Sequence, residues 1–200
     1  MEESDGAARG GRADARRNRE RLLTAAKAAF ADMGAGVSLE EIARRAGVGI
    51  GTLYRNFASR EAILEDVYRR DVEHHSASAT RLLETMAPGD ALHEWMRRAV
   101  DYAATKKGMS SALASIMDGS SELYAYSSKL YVEAVTLLVQ RATESGDIRP
   151  GVDPTDLLGA LGGFAHGSGR ADSQARALRL VDILMDGLRY QQPTRRPAPE

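Results

Sequence analysis

The chain has 200 residues, with 27 basic side chains against 28 acidic ones and no cysteine. That length exceeds what one small helical unit needs and is enough to bury a core without covalent staples, while the balanced charge excludes a protein that coats nucleic acid indiscriminately. The lack of cysteine excludes disulfides, thiolate metal sites and a thiol nucleophile. No apolar run in the sequence is long enough to span a bilayer, and residues 1–17 lack the apolar core of a signal peptide. A cytoplasmic protein without a membrane partner is the expectation.

Residues 1–14 carry glycine, alanine, arginine and acid with no hydrophobic period, which predicts a disordered arm. Arg9 and Arg12 suit either a basic tail for the minor groove or a solvated leader. A helix is predicted over 15–33, with Leu22, Leu23, Ala26, Phe30 and Met33 on one stripe and Gly34 and Gly36 closing it. Arg16, Arg17 and Arg19 stand at its expected start, where cations oppose the helix dipole. Contact with phosphate is a reason to keep them there. Between residues 7 and 60 bases outnumber acids, so the remainder of the chain is acidic. A basic head on an acidic body suits DNA binding.

Residues 38–57, SLEEIARRAGVGIGTLYRNF, organise everything else. Ser38 is a good N-cap, and Glu41 three residues on completes a capping box. Leu39, Ile42, Ala43 and Ala46 recur at helical spacing and form a buried face. Gly47 supplies the left-handed C-cap, and Val48 plugs the corner. A second short helix over 49–56 turns Leu53 inward, with Phe57 following. That leaves Ile50, Gly51, Thr52, Tyr54 and Arg55 outside. Their chemistry fits DNA: an apolar group for a thymine methyl, a small residue for close approach, hydroxyls for phosphates and a guanidinium for guanine or phosphate.

The run SLEEIARRAGVGIGTLYRNFASREAIL, preceded by AAFADMGAGV, resembles the TetR family of one-component transcriptional regulators over residues 16–67. The position that opens the recognition helix is commonly serine in that family and is Gly49 here. By the same resemblance, Arg60 touches phosphate. The DNA-binding candidates are therefore Arg16, Arg17, Ser38, Gly49, Ile50, Gly51, Thr52, Tyr54, Arg55 and Arg60.

Further along, Ser59 is an N-cap for a helix running to residue 86, with Ile63, Val67, Leu82 and Leu83 inward. Its polar middle, 71–80, is a candidate break. Pro88, Gly89 and Asp90 read as turn and cap before a helix over 91–107 carrying Leu92, Trp95, Met96, Ala99 and Ala103. Shorter and longer helices follow at 109–117 and 121–145. Asp153 and Pro154 mark a well-formed helix start. The helix after it holds Gly159, Gly162 and Gly163, each costing about 1 kcal/mol relative to alanine. Close approach of another helix, or room for a ligand, would explain them. Gly167 to Gly169 break the chain before a last helix over 173–190, and 191–200 is a Pro-rich disordered tail.

The expected architecture is all-α, about nine helices, with a helix-turn-helix DNA-binding domain at 15–66 and an effector-binding and dimerisation domain at 67–190. The second domain also resembles the C-terminal domain of SbtR-like regulators. The family resemblance implies an effector pocket between the middle helices, lined from Trp95, Met96, Tyr102, Met109, Leu113, Met117, Tyr124, Tyr131, Phe164 and His166. It also implies a homodimer through the last two helices, with Leu158, Leu161, Gly162, Val181, Leu184 and Leu188 at the interface. A short reading head needs two copies at fixed spacing, about 34–36 Å apart, which agrees. The partners implied are an operator duplex, a second copy and a small-molecule effector. No cofactor, metal site or catalysis is expected: His74 and His75 are adjacent and so diverge on a helix, and no nucleophile elbow, HExxH or phosphate loop is present. A ligand-independent or activating regulator, and a ligand-binding bundle with a vestigial head, remain the alternatives.

Overall fold

The computed structural model describes residues 3–34, 36–105, 122–166 and 172–189, and the side chains of 14–34, 36–103, 122–164 and 172–189. Every regular element among them is a helix: α1 (Glu3–Met33), α2 (Leu39–Ala46), α3 (Ile50–Asn56), α4 (Arg60–Leu83), α5 (Pro88–Thr105), α6 (Glu122–Glu144), α7 (Pro154–His166) and α8 (Ser173–Arg189). The helix expected at 109–117, the break at Gly167 to Gly169 and the tail at 191–200 lie outside the described residues. Two compact units form, one from Met1–Asp71 with Thr105–Tyr126, the other from Val72–Ala104 with Ser127–Glu200.

In the first unit α1, α2 and α3 pack on one another. Leu22, Ala26, Phe30, Ile42 and Leu53 are fully buried there, with Leu23, Ala43, Ala46 and Phe57 close behind. Most of the expected stripes are therefore inside. Three positions differ, the first being Leu39, which is only half-buried. Met33 is 55% exposed, and its sulfur accepts a hydrogen bond from Arg45 at 3.4 Å. Val48 is half-buried, whereas Val37, ahead of α2, fills the interior at 2% exposure.

Helix α1 starts at Glu3 rather than near residue 15, so 3–14 continue the helix instead of forming a disordered arm. Extending an existing helix costs far less than nucleating one, and the alanines and arginines of the stretch favour it against Gly6, Gly10 and Gly11. Arg16 and Arg17 accordingly lie inside the helix, and the opposition to its dipole disappears. Helix α4 is also unbroken across 71–80. Val72, His75 and Ala79 are all buried at helical spacing, joined by Ser78. The stripe is masked in the sequence because histidine and serine occupy apolar positions in it; the Ser78 hydroxyl donates a hydrogen bond to the His75 carbonyl at 2.6 Å.

The second unit buries one cluster that includes Leu92, Trp95, Met96, Val135, Leu138, Ala142, Val181 and Met185. Helix α5 begins at Pro88 itself, where a missing N–H is harmless. Gly89 N–H donates to Asp147 Oδ2 at 2.8 Å, and a Cβ at Gly89 would stand 2.7 Å from Asp147 Cβ. Glycine is required there by close approach. At α7, Asp153 accepts from the Thr155 N–H at 2.8 Å and from its hydroxyl at 2.7 Å, the N-cap that its sequence announced.

Candidate functional site

Helix α2 is fastened at both ends. Ser38 Oγ accepts from the Glu41 N–H at 3.1 Å, half of the expected capping box. The Glu41 carboxylate does not return to Ser38. Arg44 reaches it with two donors at 2.7 Å, and Arg45 with one at 2.8 Å. Guanidinium outbids a backbone amide for a carboxylate because the bond is charge-assisted. The hydrogen bonds from Arg44 and then Arg45 hold the Glu41 pKa down at about 2. Arg45 also pairs with Asp32 of α1 at 2.7 Å. At the other end Gly47 takes φ 63°, a left-handed conformation suited to glycine.

Gly49 caps α3 with an extended backbone and no side-chain hydrogen bond. Leu53 is fully buried, while Ile50 is 38% and Tyr54 53% exposed. Gly49 and Gly51 are exposed, and a Cβ on either would meet nothing within 4 Å. Arg55 folds along its own helix: Nε donates to Gly51 O and Nη2 to Thr52 Oγ1, both at 3.1 Å. The structure thus brings Ile50, Gly51, Thr52, Tyr54 and Arg55 onto one short element with the apolar and polar groups outward.

The arginines divide. Arg16 is exposed, and Arg17, also exposed, pairs with Asp14. Arg60 is half-buried and donates to the Val37 carbonyl, so it ties the start of α4 to the approach of α2. Sequence reasoning missed the use of Arg19, which joins α1 to Asn56 and Asp66. No spacing signal announces so long-range a contact.

In the second unit His75 stacks on Trp95, with ring centroids 4.6 Å apart and planes at 24°. Tyr102 lies 6.2 Å and Tyr131 5.7 Å from the same imidazole. Three of the expected pocket residues therefore meet around a histidine that was not among them. Met96 is fully buried in the core and Phe164 packs against it. Tyr124 is 46% exposed and belongs to the first unit. The side chains of Met109, Leu113, Met117 and His166 lie outside the described residues.

Helices α7 and α8 pack together. Leu161, Val181 and Leu188 are buried within the protomer, and Leu158 and Leu184 are partly so. Outward positions include Gly159, Gly163 and Ile183, the last 65% exposed and flanked on its helix by exposed Arg179 and Asp186; a Cβ at Gly159, Gly162 or Gly163 would meet nothing within 4 Å. Among the described residues no neighbouring helix accounts for these glycines. Periodicity alone could not separate the inward from the outward half of so apolar a pair. Among the described residues no group of three or more His, Asp or Glu side chains could hold a metal, and no helix is long and apolar enough to cross a membrane.

With this geometry established, comparison with known proteins is specific. Residues 22–67 match the family of bacterial regulatory proteins called tetR, and residues 87–190 match the C-terminal domain of SbtR-like transcriptional regulators. A TetR transcriptional regulator from Streptomyces coelicolor is 42% identical, with 88% of this chain and 99% of that one covered at a TM-score of 0.75. A TetR regulatory protein from Mycobacterium vanbaalenii is 34% identical, covering 90% and 99% at a TM-score of 0.72. An HTH-type transcriptional regulator of Staphylococcus aureus is 30% identical over 124 residues, 61% of this chain; the chain spans 65% of that relative's length. The two short helices around Gly47 and the helical second unit are thus those of a DNA-binding helix-turn-helix regulator, and the chain belongs to the TetR family of transcriptional regulators.

Proposed function

We propose that the chain is a repressor that grips its operator as a homodimer and lets go when a small molecule occupies the second unit. It acts by binding rather than by catalysis, in the cytoplasm where its DNA lies. The observation that carries the reading is the outer face of α3. Ile50 and Tyr54 are left in solvent on a helix whose other large apolar side chain, Leu53, is fully buried. Exposed apolar groups beside a guanidinium suit base edges and thymine methyls. Arg16, Arg17 and Ser38 stand exposed and suit the flanking phosphates.

Dimerisation follows from the length of the reading element. Seven residues reach only a short half-site, so useful affinity needs two heads one helical turn apart. The outward face at Gly159, Gly163 and Ile183 offers the surface for a second copy. For the effector, the cluster of Trp95, Tyr102 and Tyr131 with His75 favours a ligand with a flat or apolar portion. Release needs only a few kcal/mol of differential affinity between the two states.

Fluorescence anisotropy tests the first step, with duplex from upstream of the protein's own gene beside a scrambled duplex at several salt concentrations. A preference that persists at physiological salt supports the reading. Arg55→Ala and Thr52→Ala should each weaken specific binding, and because the two side chains are bonded their effects should be less than additive. Parental binding by both variants refutes the assigned face.

A further inference from the structure

The guanidinium of Arg19 makes three contacts at once within the first unit. Nη1 donates to the carbonyl of Asn56, the last residue of α3, at 2.9 Å. Nη2 pairs with the carboxylate of Asp66 on α4. Cζ lies 4.4 Å from the centroid of the Phe57 ring. The contacts with Asn56 and Phe57 each meet a need at the end of α3, and the one with Asp66 ties that end to α4. A carbonyl in the last turn of a helix has no intrahelical donor, the same end carries the negative pole of the dipole, and an aromatic face attracts a cation.

A helix of 7 residues cannot hold itself; its orientation is set by tertiary contacts. The N-terminal end of α3 has no side-chain cap. The C-terminal end is therefore where a long-range side chain has the most leverage.

We infer that Arg19 is a positioning residue for DNA recognition: it clamps the end of α3 to α1 and α4 and so sets the register of Ile50, Thr52, Tyr54 and Arg55 on the bases, without itself touching DNA. This rests on the DNA-reading role of α3. It separates Arg19 from Arg16 and Arg17, which are exposed on the same helix. The clamp needs a planar fork. A lysine keeps the charge but offers one compact ammonium, which cannot serve a carbonyl, a carboxylate and a ring together.

The test uses the full chain and a duplex that the parent selects from a random library, with a scrambled duplex of equal length. Arg19→Lys should lower the specific-to-scrambled affinity ratio on the order of tenfold, the scale of one misread base pair. Its affinity for scrambled DNA and its salt slope should stay parental. Asp66→Asn, which leaves the Arg19 charge in place, should shift the ratio in the same direction, and it carries the test if Arg19→Lys fails to fold by circular dichroism. A phosphate-contacting Arg19 gives the opposite pattern. Arg19→Lys then binds like the parent, Arg19→Met weakens both duplexes alike with a salt slope lower by about 0.9 per lost contact, and Asp66→Asn strengthens both. That pattern overturns the inference while sparing the reading role of α3. Failure of the parent to select any duplex overturns both.

Discussion

The imidazole of His75 stacks on the indole of Trp95 at 4.6 Å with the planes 24° apart, and the indole N–H donates to the backbone carbonyl of the same His75 at 3.2 Å. One residue of α4 thus takes both the face and the polar edge of a fully buried tryptophan of α5. A buried indole needs a partner for its N–H, and here the partner comes from the residue that also stacks on it.

Trp95→Phe should keep a ring in place but forfeit the hydrogen bond, worth about 1 kcal/mol, with a further loss from the vacated volume; Trp95→Ala should cost about 3–5 kcal/mol. Urea unfolding measures both. Because Trp95 is the single tryptophan of the chain, its emission also reports on the cluster. A molecule that releases the operator should change it, and release with unchanged emission would place the effector elsewhere.

Gly49 has the extended backbone of an N-cap and open space where a side chain would go. Gly49→Ser should stabilise the fold by a few tenths of a kcal/mol, the usual margin of serine over glycine at this position. It should also tighten operator binding by adding a hydroxyl donor for phosphate. Thermal melts and anisotropy read the two effects separately.

Gly51 poses the opposite trade. It sits inside α3 with nothing near its missing Cβ, so Gly51→Ala should raise stability by about 0.5–1 kcal/mol. If the glycine serves close approach to the duplex, the same variant binds DNA more weakly. Tighter or equal binding by the more stable variant would assign Gly51 no part in the contact.

Acid should loosen the first unit through Glu41. Its pKa is lowered from 4.5 to about 2 by Arg44 and then Arg45, so the unfolded state binds a proton more readily than the folded one. The stabilisation is complete above about pH 4.5 and is lost as pH falls toward about 2. Glu41→Gln should flatten the pH dependence of unfolding in that window and leave the shape of the curve above it unchanged. Equal curves for parent and variant would dismiss the linkage.

Ile183 and Val181 are two residues apart on α8, yet one is 65% exposed and the other fully buried. If α7 and α8 form the dimer face, Ile183→Glu should yield folded monomers in sedimentation velocity. Val181→Ala should instead lower unfolding stability, roughly 2 kcal/mol, with assembly following only from that loss. A dimeric Ile183→Glu would move the interface off this face.

Much of the helical layout was legible from residues alone, because its signals are local. Ser38, Gly47, Ser59, Asp153 and Pro154 act within one helical turn of themselves, and the stripe through Leu22, Phe30, Ile42 and Leu53 is a periodicity. Even the outward face of α3 follows from which positions its inward residues leave over. What required the tertiary structure is whatever depends on partners far along the chain. Arg19 reads as one more cation of a basic segment until Asn56 and Asp66 are brought to it. His75 reads as part of a polar stretch until Trp95, Tyr102 and Tyr131 surround it. Glu41 is a local exception: Arg44 and Arg45, three and four residues on along the same helix, take the carboxylate that the capping box would use. In helices as apolar as α7 and α8, hydrophobicity points in too many directions to choose one, and only packing decides that Val181 turns inward while Ile183 faces out.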